Sequence, residues 1–147
     1  MLQNLINYTS LADKIIIDTF LEANKPMPAA EKLFSHILNA QNIWMKRIDH
    51  EEPDYDRFQI HSIAEFENIH LRNMDAMLRV LHTKDLEELI IYTISTGESF
   101  VNSVSDILFH VVNHSTYHRG QVVSQFRQND IDPPVTDYIF FKRDGSL

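Results

Sequence analysis

The stretch Asp106-Ile107-Leu108-Phe109-His110-Val111-Val112-Asn113-His114-Ser115-Thr116-Tyr117-His118-Arg119-Gly120-Gln121 decides how the rest of the chain is read. Histidines stand at 110, 114 and 118. A four-residue step on an α-helix turns the chain about 40° past one full turn, so the three rings form a slowly drifting row on one face. Imidazoles at positions i and i+4 can bring two ring nitrogens onto one divalent ion at about 2.0–2.1 Å. Two ligands from one helix leave such an ion under-coordinated, and a third is expected from another helix.

Working outward, Ser103 or Ser105 can cap this helix with Asp106 in its first turn, and Ile107, Leu108, Val111, Val122 and Phe126 supply its apolar face. Asp132-Pro133-Pro134-Val135 ends it, and the apolar tail from Thr136 to Arg143 must pack somewhere to stay soluble. Upstream, Leu89 to Ile94 is β-branched and aromatic, Ser95-Thr96-Gly97 can turn, and Glu98 to Val101 resumes an extended segment, which predicts a short hairpin or extended excursion.

Before that excursion, Ser62 followed by Glu65 has the capping-box pattern for a helix through Leu81 or His82, with Met74 and Met77 as core fillers. His70 and His82 are assigned to its surface. Pro28 opens an earlier helix that runs to about Asp49, with Leu33, Ile37, Ala40, Trp44 and Ile48 in one stripe and His36 at its edge, facing inward. Trp44 is expected in the core or near the mouth of a pocket. Leu5, Ile6, Leu11, Ile15, Ile16, Phe20 and Leu21 mark a first helix over Leu2–Glu22, stopped by Asn24-Lys25-Pro26. The acidic stretch from His50 to Phe58, broken by Pro53, reads as a solvated loop without chemistry, and His50 and His61 lie outside any inward-facing pattern.

Composition narrows the class. With 147 residues, three glycines and five prolines, the chain has the size and makeup of one folded domain, residues 1–147. A formal net charge of −8 argues against nucleic acid or an anionic membrane as the partner. Without cysteine, a metal would be held by nitrogen and oxygen, and eight histidines are present. No charged start precedes an apolar leader and no run of about 18 apolar residues occurs, which predicts a cytoplasmic protein. Four helical segments predict an all-α four-helix bundle, in which His36 can meet His114 and His118.

Two segments carry a resemblance to the DinB family: Ser35-His36-Ile37-Leu38-Asn39-Ala40-Gln41-Asn42-Ile43-Trp44-Met45-Lys46-Arg47-Ile48, and His110 through Gln121. The tail Pro133-Pro134-Val135-Thr136-Asp137 is also similar to that family's ending. The resemblance implies a four-helix bundle, commonly a homodimer, that binds one divalent metal ion through His36, His114 and His118, with His110 a neighbour and not a ligand. Three nitrogens leave an open position, the mark of a catalytic site. Zinc is the first expectation, and nickel also suits imidazole.

Asn39, Asn113 and Gln121 are candidates to orient the ligands, while Arg119 is expected in an outward salt bridge. Ser115 stands where a metalloprotease would carry its general-base glutamate, which disfavours peptide hydrolysis. The favoured chemistry, which the resemblance implies, is transfer of a low-molecular-weight thiol, acidified by the ion, to a small-molecule substrate. Hydrolysis of a small substrate is the alternative enzyme class, and a non-catalytic metal-binding stress or interaction protein, in keeping with the family's damage-inducible name, is the other.

Overall fold

The computed structural model describes residues 1–147. Five helices and one sheet follow in the order α1 (Leu2–Ala23), α2 (Pro28–Ile48), α3 (Ile63–Thr83), β1 (Leu89–Thr93), β2 (Ser99–Ser103), α4 (Val104–Gln128) and α5 (Tyr138–Arg143). The architecture is therefore all-α apart from one hairpin. No helix is long and apolar enough to cross a membrane.

Local chemistry sets the boundaries. Asn24 ends α1 in the left-handed conformation, φ 45°, which its short polar side chain tolerates. Pro28 sits in the first turn of α2, and Glu31 Oε1 accepts the Met27 backbone N–H at 2.8 Å. At α3, Glu65 reaches back to accept the Ser62 N–H at 2.8 Å. At α4, Ser103 and not Ser105 is the cap, its Oγ accepting the Asp106 N–H at 3.1 Å.

Helix α2 packs on α3 and α4, and α1 packs on α3 and α4. The antiparallel hairpin pairs Leu89 with Ser103 and Tyr92 with Phe100, and turns at Gly97, φ 88°. That positive φ is what glycine permits at no steric cost. Ile90 is buried with residues of α3 and α4, so the marginal two-stranded element is anchored to the helices. The tail packs as well. Phe141 is buried against Tyr8 and Ala12, and the Tyr8 hydroxyl donates to the Thr136 carbonyl at 2.8 Å.

The core has two apolar halves. One centres on Met45, Ile48, Met77, Val80, Leu108 and Val111, and the other on Phe20, Phe34, Phe66, Val122 and Phe126, whose rings meet edge to face. Between the halves in sequence order on every long helix lies a buried polar layer: Asp13, Gln41, His70, Asn73, Ser115 and Arg119. Arg119 Nη1 donates to Asp13 Oδ1 at 2.7 Å, Gln41 Nε2 to Asp13 Oδ2 at 2.8 Å and to Ser115 Oγ at 3.2 Å, and Asn73 Nδ2 to Gln41 Oε1 at 3.2 Å. One network thus ties α1, α2, α3 and α4.

Two expectations are corrected here. Arg119 is 1% exposed and pairs inward, because Asp13 from α1 offers a buried counter-charge that the sequence of α4 alone does not reveal. His70 is 2% exposed and faces the same layer, with its Nδ1 3.9 Å from Asp13 Oδ2. Burial lowers its pKa, more than the Asp13 charge raises it, so the ring is neutral and the contact is not an ion pair.

Removing one partner of a buried pair strands the other charge. Arg119→Met is expected to lower the unfolding free energy by about 3–5 kcal/mol in urea titrations, and adding Asp13→Leu to that variant is expected to recover part of the loss.

Candidate metal centre

His36 projects from α2 toward His114 and His118 on α4, and one ring nitrogen from each lies within 4.8 Å of the others. Ring centroids are 5.0 Å apart for His36 and His114, 4.7 Å for His36 and His118, and 4.4 Å for His114 and His118. Tetrahedral ligands at about 2.0–2.1 Å from an ion lie roughly 3.3 Å from one another, so small side-chain rotations would close the cluster on a metal. His110 is outside it, exposed and edge-on to Trp44 at 5.1 Å.

The outer hydrogen bonds present the right atoms. His118 Nδ1 lies 2.6 Å from Gln121 Oε1, and His36 Nδ1 lies 3.2 Å from the Arg57 carbonyl oxygen. Each acceptor holds the proton on Nδ1 and leaves Nε2 with its lone pair, as metal-binding imidazoles require. Burial, followed by the neighbouring rings and Arg57, holds the His114 pKa down to about 3. Burial also lowers the pKa of His36, with opposition from its hydrogen bond to the Arg57 carbonyl. Three imidazoles gathered in this way form a nitrogen donor set that fits a borderline ion such as zinc or nickel.

Of the expected supporting residues, Gln121 touches His118, Asn113 is exposed, and Asn39 acts at one remove. Asn39 Nδ2 donates to the Gln59 carbonyl at 2.7 Å and more weakly to that of Arg57 at 3.4 Å, while its Oδ1 accepts from His61 Nε2 at 2.6 Å.

The segment before α3 is a solvated loop as expected, but it does contribute to the site, contrary to its reading as one without chemistry. Asn42 clasps Asp54 through two hydrogen bonds, Ser35 Oγ accepts the His61 N–H, and Phe58 stacks on His36 at 5.4 Å and 19°. His61 is correspondingly buried, at 3% exposure. The signal for this was the polar stripe Ser35, Asn39 and Asn42 on one face of α2, a set of groups that burial obliges to find partners.

A cavity of about 480 Å³ opens beside the cluster, with His36 and His114 on its wall together with Trp44, Arg47, Arg57 and Tyr92. Trp44 is thus the pocket-mouth aromatic, covered by the Arg47 guanidinium at 4.5 Å.

Fold and site define a helical protein with three histidines from two helices gathered at a pocket. The sequence profile of the DinB family matches residues 11–145, and the chain belongs to the DinB family. Over 78 residues it is 37% identical to Protein DinB of Bacillus subtilis (strain 168), a match that covers 52% of this chain and 45% of that protein. The matched stretch thus spans less than half of the relative's length. No solved structure matches the chain.

Acid should unfold the metal-free protein through these rings. Below its ordinary value of 6.5 the unfolded His114 takes up a proton that the folded ring refuses until about pH 3, so stability falls as pH drops across that window. Urea midpoints measured at neutral pH and in the middle of that window should fall less for His114→Gln, which does not titrate, than for the native chain.

Proposed function

We propose that the protein is a metal-dependent enzyme of the DinB family, a four-helix bundle that uses His36, His114 and His118 to hold one divalent ion, zinc or nickel, and that transfers a low-molecular-weight thiol to a small electrophilic substrate. The observation that carries the proposal is the gathering of three imidazole nitrogens, from helices distant in sequence, within 4.8 Å of one another, with His36 and His114 on the wall of a cavity. An ion held by three nitrogens supplies a Lewis acid with an open position, which lowers the pKa of a thiol or water brought to it.

The chain's own groups do the rest. Gln121 and the Arg57 carbonyl orient two of the rings. Arg47 and Arg57 add positive potential at the cavity, which favours an anionic sulfur over the neutral thiol. In the transfer, the thiol proton passes to solvent, the sulfur forms a bond to the electrophilic carbon, and the leaving group departs with the electrons of the broken bond. None of the residues lining the cavity is a carboxylate that could serve as a general base for water, which favours the thiol reading over hydrolysis.

Elemental analysis of protein purified without nickel resin tests the metal reading. About one ion per chain is expected for the native protein, and loss of it in His36→Ala and in His114→Ala. A native protein that is metal-free and takes up neither added zinc nor added nickel would remove the basis of the proposal.

The homodimer implied by the resemblance belongs to the same proposal. Phe109 and Tyr117 are 55% and 66% exposed on α4 and would be covered by a second copy. Sedimentation equilibrium should then give twice the chain mass of 17.2 kDa.

A further inference from the structure

The charges around the cavity beside the three histidines are unusual for this chain. The protein as a whole carries a net charge of −8, yet no Asp or Glu lines this cavity, and Arg47 and Arg57 both do. No carboxylate lies within 4.0 Å of either guanidinium, since the ion pairs of the structure involve other residues.

A second cavity, of about 440 Å³ on another face of α2, shows the contrast. It is also rich in cations, but Lys46 pairs with Glu51 and Asp54, Arg79 with Asp49, and Arg72 donates to the Tyr55 hydroxyl. Its charges are internally matched, and those beside the histidines are not.

Arg47 is also held in place. It is half-buried, with its guanidinium 4.5 Å from the Trp44 ring centroid and 5.1 Å from that of Tyr92. Burying it costs solvation, and the nearby Arg57 charge adds repulsion. Two like charges converging on one cavity without a counter-ion leave the space between them favourable to an anion, and a fixed, planar guanidinium suits the paired oxygens of a carboxylate. The remaining wall is aromatic and apolar, from Trp44 and Tyr92, and a volume of about 480 Å³ is that of a site for a small organic molecule.

We propose that this cavity selects a small organic acid, its carboxylate anchored by Arg47 and Arg57 and its apolar or aromatic body laid against Trp44 and Tyr92, with the far end reaching His36 and His114. The inference deepens the proposed function and rests on those histidines being the reactive centre. Arg47 and Arg57 act on specificity, by rejecting neutral analogues of the same shape.

Trp44 is the protein's one tryptophan, so its fluorescence reports the cavity directly. The test titrates 3-phenylpropanoate and its neutral isostere 3-phenylpropanamide into zinc-loaded and metal-free protein, following Trp44 emission and calorimetric heat. The acid is expected to bind about tenfold or more tightly than the amide, and Arg47→Met or Arg57→Gln to weaken the acid about tenfold with little change for the amide. Methionine keeps the packing of the Arg47 stem, and the exposed Arg57 serves as a variant that folding tolerates.

An acid that binds no better than its amide overturns the proposal. So does an acid preference that survives both substitutions, since it would come from the metal alone. Zinc content measured on the same samples separates this inference from the function it rests on. Arginine-dependent acid binding in a chain that holds no zinc keeps the anion site and removes the metal enzyme, whereas full zinc without acid preference does the reverse.

Discussion

The buried pair of Asp13 and Arg119, with Gln41 bridging it to Ser115 and Asn73, is the constraint on which the arrangement of helices depends. Apolar faces slide past one another at small cost, because dispersion and area burial are not directional. A guanidinium and a carboxylate in a dry interior have one good geometry, and an offset along the helix axis would strand both. Ser115 and Arg119 each immediately follow one of the α4 histidines in sequence. The same turn of helix that seats the network inside therefore places His114 and His118 on the adjoining face, where His36 of α2 meets them. Gln41 does the corresponding job for α2.

A second constraint acts on the three histidines from outside. Once α2 and α4 are in register, the rings can still rotate, and their outer nitrogens decide which lone pair faces the cluster. Gln121 settles this for His118 from one turn along the same helix. For His36 the acceptor is a loop carbonyl, held where it is by Asn39, whose other side is fastened to the buried His61. The segment between α2 and α3 is thus a structural part of the site, stitched to α2 by Ser35, Asn39 and Asn42. Electrostatics follow the same geometry: burial and mutual repulsion keep His114 neutral, and a neutral nitrogen is a better ligand than a protonated one.

Periodicity and capping were enough to locate the four long helices, though not the short α5 in the tail. Asn24, Pro28, Ser62 and Ser103 each act through their own backbone neighbourhood, so their signals are local and readable. The His-x-x-x-His spacing was readable for the same reason. What was missed depends on pairs distant in the chain. Arg119 sits in the buried stripe of Leu108, Val112, Val122 and Phe126, and Asp13 in that of Ile6, Ile16, Ile17 and Phe20, so each interrupts a buried face with a charge. Taken singly, each looks like an outward salt-bridge residue. Taken together, two opposite charges at the middle of two buried stripes are a signal for a core ion pair. His61 and His70 were misplaced in the same way, because each is covered by other elements: His61 meets Asn39 of α2, and His70 faces the buried layer beside Asp13 of α1.

The division of the core has a consequence for how the sequence can drift. Each apolar half is filled by interchangeable aliphatic, methionine and phenylalanine side chains, and volume-conserving exchanges there cost little as long as density is kept. The layer between them has no such freedom: a single change at Asp13, Gln41 or Arg119 orphans its partners, and only concerted replacement avoids the loss. Related chains that keep this geometry should therefore differ widely at the two ends of the helices and change at the middle only in blocks. A protein engineer has more freedom in the Phe20, Phe34, Phe66 and Phe126 half than in the other, since Trp44 packs on that other half and also lines the histidine pocket.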